Sequence, residues 1–208
     1  MIARFDTRGA PFAIALLLAL GAMAAGWLVG ADNAERALLG ARWTARAALP
    51  LFLVAYAASS ARLLWPGPLS SALVRRRRQW GLAFALAHFI HFVALGLNIW
   101  VFGPSRDAET LIGGGLAYGF IALMAITSND ASVRAMGVWW RRLHRVGIHY
   151  VWLIFTISYA SRIVNPDASY HLMGYVGSSV MLGALTVRLA AVSKRRADSG
   201  TATAHDRP

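Results

Sequence analysis

Four histidines stand inside apolar runs: His88 and His91 in ALAHFIHF, His144 and His149 in WWRRLHRVGIHYVW. Imidazole is costly to bury in hydrocarbon without a partner, so a histidine within a membrane span marks a candidate functional site. On a helix, residues three apart lie about 60° from each other, whereas residues five apart diverge by about 140°. His88 and His91 therefore share a face, and His144 and His149 cannot both address one neighbour squarely. Counted from the arginine anchors Arg78 and Arg142 at about 1.5 Å per residue, His88 lies about 15 Å in, His91 about 20 Å, His149 about 10 Å and His144 about 3 Å. His88 and His149 match best in depth. His171 reads as an interfacial residue at the start of the last span, and His205 falls in the C-terminal tail.

Several chemistries could use imidazoles on two helices. A haem iron takes two neutral imidazoles as axial ligands, and its propionates seek arginine near an interface; Arg78, Arg142 and Arg145 are the candidates. A structural zinc site normally needs four ligands, and no carboxylate lies mid-span to complete one. A proton relay suits a side chain that titrates near neutrality, but such relays usually include a membrane carboxylate. The plain alternative is that each histidine hydrogen-bonds a neighbouring helix.

The elements that must position these side chains follow from composition. The 208 residues are 57% hydrophobic and 14% charged, too apolar for a soluble domain. Six runs near the length of a bilayer-crossing helix recur, at about 11–30, 44–65, 80–102, 111–127, 143–164 and 169–192. The first is long for a signal-peptide core and shows no convincing cleavage site, so it reads as an uncleaved span. Gly113, Gly114 and Gly115 predict a broken or closely packed fourth span, and Pro50 a kink in the second. Short loops imply antiparallel neighbours and an up-down bundle. The expected organisation is an all-α, six-span membrane domain over residues 1–193, with a disordered basic tail over 194–208. Cysteine is absent, which excludes disulfides and thiolate metal sites.

The net charge of +12 sits in short loops, so it reports topology rather than nucleic-acid binding. With the N-terminus cytoplasmic, that side carries Arg4, Arg8, Arg62, Arg75, Arg76, Arg77, Arg78, Arg134, Arg141, Arg142, Arg145, Arg188, Lys194, Arg195, Arg196 and Arg207. The other side carries Arg36, Arg42, Arg46, Arg106 and Arg162, so the ratio is sixteen to five and both termini are expected inside. The third and fifth spans, which hold the four histidines, then run in the same direction. The VRRRRQW run reads as a stop-transfer anchor that meets lipid phosphate. Trp65, Trp100, Trp139 and Trp140 fall near expected interfaces, as an aromatic belt requires. Thr127, Ser128, Asn129 and Asp130 read as helix caps and a turn. Tyr150, Trp152 and Tyr159 read as helix packing before cofactor contact. No phosphate loop, nucleophile elbow or HExxH occurs.

RRRRQWGLAFALAHFIHF and AITSNDASVRAMGVWWRRLHR resemble the ferric reductase-like transmembrane domain family, and within it the branch of haem-binding membrane subunits of bacterial methionine sulfoxide reductase systems. The similarity covers residues 45 to 190. Its most specific part is Ile126-Thr127-Ser128, then Arg134, Gly137, Trp140 and Leu143-His144-Arg145. The resemblance implies b-type haem between the third and fifth spans and electron transfer across a bacterial-type plasma membrane. His91 matches the third-span ligand and His144 the first ligand of the fifth. The family usually places a further histidine thirteen residues on, where this chain has Ile157. The usual set is therefore incomplete, and His88 or His149 is the substitute unless haem binding is altered or lost. No flavin or nicotinamide domain lies within these residues, so the implied electron donor is a partner protein or a membrane quinone.

The expected function is a membrane b-type haem electron-transfer protein, an oxidoreductase subunit. The alternatives are an assembly subunit that kept the fold without the cofactor, and a proton-coupled transporter.

Overall fold

The computed structural model describes residues 9–103 and 107–205, and among them every element is helical. Eight α-helices follow in order: α1 Ala10–Val29, α2 Asn33–Leu64, α3 Pro68–Arg75, α4 Arg77–Gly96, α5 Ala108–Ile126, α6 Asp130–Met136, α7 Val138–Ile163 and α8 His171–His205. A π-helical segment, Leu97–Phe102, continues α4, and a 3-10 turn, Ala168–Tyr170, leads into α8. Arg4, Arg8, Arg106 and Arg207 of the charge count lie outside the described residues.

Among the described residues, five stretches are long and apolar enough to cross a bilayer: Ala10–Val29, Asn33–Leu64, Arg77–Phe102, Ala108–Ile126 and Ala168–Ser199. The chain is a multi-pass membrane protein. α7 coincides with the expected fifth span and has 26 residues, but it is not among the five, because arginines and histidines dilute its apolar character. Of the two expectations for the fourth span, a break or close packing, the break does not occur, since α5 is continuous through Gly113, Gly114 and Gly115, and a Cβ at Gly114 or Gly115 would meet nothing within 4 Å. Pro50 lies inside α2, which continues on both sides of it. α8 runs on through Lys194 to His205, over a segment expected to be disordered.

The chain forms two compact units, whose boundaries fall within α2, between α3 and α4, and within α7. The first comprises Met1–Ala55 and Arg76–Ile148. Here α1 packs on α4, and α4 on α5. The buried residues are small: Ala15 and Ala19 on α1, Ala83, Ala87 and Ala94 on α4, Ala117 on α5. Small side chains let helix backbones approach closely where lipid offers no hydrophobic drive for association. Large apolar side chains such as Leu17, Leu28 and Ile112 point outward, 75%, 85% and 64% exposed, as lipid-facing positions should. Asn98, in the π segment, is buried.

The second unit comprises Tyr56–Arg75 and His149–Pro208. The start of α8 packs against the end of α7: a Cβ on Gly177 would overlap the ring of Tyr159, so only glycine admits that contact. Trp152 Nε1 donates to the Met181 carbonyl at 2.9 Å. Tyr159 and Trp152 are thus helix-packing residues, as the sequence suggests.

Candidate functional site

The first unit gathers three of the four membrane histidines. α4 carries His88 and His91 on one face, their ring centroids 5.1 Å apart. His88 is buried between Phe84, at 5.1 Å, and Tyr118 of α5, stacked at 4.9 Å and 29°. His91 lies 6.4 Å from the same Tyr118 ring. Phe92 meets Tyr118 edge-on at 4.6 Å. Tyr118 is the hub that joins α5 to the histidine face. Its hydroxyl is buried and meets no hydrogen-bond partner among the described residues.

α2 supplies a residue that sequence reading placed only at a span boundary. Thr44 is fully buried, and its Oγ1 lies 3.0 Å from His91 Nδ1. The same hydroxyl donates to the Gly40 carbonyl, one turn back, at 2.7 Å. A threonine in an apolar run that can bond the preceding turn is the one sequence signal that could have found it; its pairing with His91 depends on helix register and was not legible.

His144 is positioned by a different set of contacts. α5 ends at Thr127, α6 is capped by Asn129, whose side chain accepts from Ser132 N at 2.8 Å, and Gly137 turns the chain into α7 at φ 51°. That φ favours glycine, which fixes the break between α6 and α7 at this residue. α7 then returns along α5, where Gly147 leaves room for Met124 and Phe120. Trp140 Nε1 donates to the Thr127 carbonyl at 2.8 Å, and His144 Nε2 lies 3.2 Å from Thr127 Oγ1. The Trp140 and His144 rings stack at 4.0 Å and 25°. The motif Ile126-Thr127-Ser128, Gly137, Trp140, His144 is therefore one connected junction. Trp140 is engaged within this junction, whereas Trp139, Trp65 and Trp100 are 63%, 61% and 68% exposed.

His149 belongs to the second unit, where its ring meets Tyr56 edge-on at 5.8 Å. His171 bonds the Asn165 carbonyl at 2.7 Å, a structural role. Of the candidate propionate partners, Arg78 pairs with Asp130, Arg142 lies 4.8 Å over the Trp139 ring, and Arg145 is exposed on α7. Within the VRRRRQW run, Arg77 Nε donates to the Ala55 carbonyl at 3.3 Å and ties α4 to α2. In the second unit, Arg188 was counted only as a topological charge. It donates to the Tyr56 carbonyl at 3.0 Å and lies 4.4 Å over the Tyr56 ring.

As a donor set for haem iron, these residues fit unequally. His91 offers a side chain whose Nδ1 is already held, the arrangement that metal-binding imidazoles normally show. His144 has its Nε2 turned to Thr127. No cluster of three or more histidine, aspartate or glutamate side chains among the described residues could hold a bare metal ion.

No family model matches the chain, and no solved structure matches it. The chain is similar to the protein-methionine-sulfoxide reductase heme-binding subunit MsrQ of Pasteurella multocida (strain Pm70), 27% identical over 127 residues. The match covers 56% of this chain and 62% of that relative's length.

Proposed function

We propose that this chain is a haem-binding electron-transfer subunit of the membrane, with six spans, α7 being the fifth in chain order, and both termini cytoplasmic. The observation that carries this reading is His91. It stands on an apolar helix, with its Nδ1 held by a buried threonine and an aromatic residue with an orphaned hydroxyl beside it. The similarity to a subunit named for haem binding supports the same reading. His91 is the first ligand proposed. His144, whose imidazole would turn from Thr127 to bind, is the second, and His88 and His149 are the substitutes. Arg142 and Arg145 are the proposed partners of anionic groups near the cytoplasmic face. Bound haem would supply one-electron chemistry, with electrons from a quinone or a reductase partner in a bacterial plasma membrane.

A visible spectrum of the purified protein tests this. A Soret band that shifts on dithionite reduction, and is lost in His91→Ala, is the expected result. A folded, colourless protein would replace it with the second reading, a subunit that kept the fold without the cofactor. Ile157 favours that reading: it occupies the position of the second ligand expected from the family and is 53% exposed.

A further inference from the structure

Thr44 has one hydroxyl proton and three neighbours. Its Oγ1 lies 2.7 Å from the Gly40 carbonyl, 3.2 Å from the Ala41 carbonyl and 3.0 Å from His91 Nδ1. A carbonyl oxygen carries no proton, so the 2.7 Å contact is favourable only if the threonine donates. With that proton committed, the hydroxyl meets His91 through a lone pair. The proton between Thr44 and His91 must then come from the imidazole.

We propose that Thr44 is a positioning residue that holds His91 as the neutral Nδ1–H tautomer, aligns its ring, and thereby places the ligating lone pair on Nε2. The inference rests on the haem reading for its purpose but not for its geometry. Which ring nitrogen can bind a metal is set by the hydrogen bond the other nitrogen makes. An acceptor at Nδ1–H also raises the basicity of the ligating nitrogen. Because Thr44 is fully buried and its own proton is locked into the turn of α2, neither the ring's rotation nor its tautomer is left to solvent.

The other threonine–histidine pair of this unit shows why the assignment matters. Thr127 Oγ1 donates to the Leu123 carbonyl at 2.6 Å, so by the same logic it accepts from His144 Nε2 at 3.2 Å. That places the His144 lone pair on Nδ1, next to its own backbone. The two imidazoles are thus held in opposite tautomers, and of the two only His91 carries its lone pair on Nε2, the ring nitrogen farther from its own backbone.

The test compares Thr44→Val, which keeps shape but removes the acceptor, with Thr44→Ser, which keeps the acceptor. In haem-loaded protein, Thr44→Val should lower haem affinity about 10-fold. It should also move the haem midpoint upward, because a less basic ligand stabilises the oxidised form less. Thr44→Ser should restore both. A Thr44→Val protein with unchanged melting temperature, haem affinity and midpoint would overturn the proposal. A second measurement needs neither a Thr44 variant nor the cofactor. Solid-state NMR of 15N-histidine-labelled wild-type protein in liposomes, with the His91 signal assigned by its loss in His91→Ala, reads the tautomer directly. A proton on Nδ1 supports the proposal, and a proton on Nε2 overturns it. If the wild-type protein binds no haem, the proposed function fails while the NMR result still decides the role of Thr44.

Discussion

The indole of Trp140 lies flat on the imidazole of His144, with ring centroids 4.0 Å apart, while its own N–H holds the carbonyl of Thr127 at the end of α5. One side chain thus joins the end of one helix to the start of another and orients a candidate ligand between them. Trp140→Phe keeps an aromatic face but loses the donor, and should cost about 1 kcal/mol, the net value of one hydrogen bond. Trp140→Leu loses the stack as well and should cost about 2 kcal/mol, adding the worth of an aromatic pair. Thermal unfolding in detergent reads the difference; equal melting temperatures for the two variants would mean that the stack contributes nothing.

Gly147 sets how closely α7 approaches α5. A methyl group there would sit 2.9 Å from Met124 Sδ, 3.2 Å from its Cε and 3.2 Å from Phe120 Cδ1. A methionine end can swing away and the Phe120 ring must shift by only a few tenths of an ångström, a cost that the gain of about 1 kcal/mol of helix propensity of alanine over glycine offsets. Gly147→Ala should therefore leave stability almost unchanged. Gly147→Leu cannot be accommodated by one flexible side chain and should cost roughly 1–3 kcal/mol. It should also part Thr127 from His144, which the histidine NMR spectrum would report.

Hydropathy runs made the apolar helices legible, because bilayer thickness sets their length whatever the packing. The charged start of α7 blurred its span signal: Arg141, Arg142, His144 and Arg145 fall within its first turns. The continuity of α5 through three glycines was not legible, since glycine propensity is local and helix continuity in lipid is enforced by the lack of water to satisfy an opened backbone. At the candidate site, the histidines stood out by type. Their partners did not, because Thr44 and Thr127 look like any small polar residue in a helix until the neighbouring helix supplies an imidazole. Arg188 was legible as a charge, but its contact with Tyr56 was not, since the sequence does not show that its side chain lies along that ring.

Asp130, at the start of α6, accepts from Arg78, at the start of α4. This hydrogen bond and the guanidinium charge, with a smaller contribution from Arg134, hold the Asp130 carboxyl below its ordinary value of 3.8. A carboxylate stabilised in the folded state contributes stability above its unfolded value and loses it as pH falls through its lowered folded value. The difference in melting temperature between the wild-type protein and Asp130→Asn should thus be constant from neutral pH down to about 4 and shrink below that. Both side chains are exposed, at 46% and 72%, so the difference should be small and should fall further in high salt. A difference that grows on acidification would contradict this pairing.

Arg188 offers a direct contrast between charge and shape. As a topological anchor alone, it would be replaceable by lysine, since both carry the positive charge that sets orientation. The structure instead places its planar guanidinium over the Tyr56 ring at 4.4 Å and bonds it to the Tyr56 carbonyl at 3.0 Å, half-buried on α8. A charged hydrogen bond and a cation–π contact together make Arg188→Ala cost roughly 2–3 kcal/mol. Lysine keeps the charge but cannot stack a planar group on the ring while donating to the backbone beside it. Arg188→Lys should therefore recover less than half of the loss in thermal stability, with membrane orientation unchanged by protease accessibility of the C-terminus. Full recovery by lysine would reduce Arg188 to a charge.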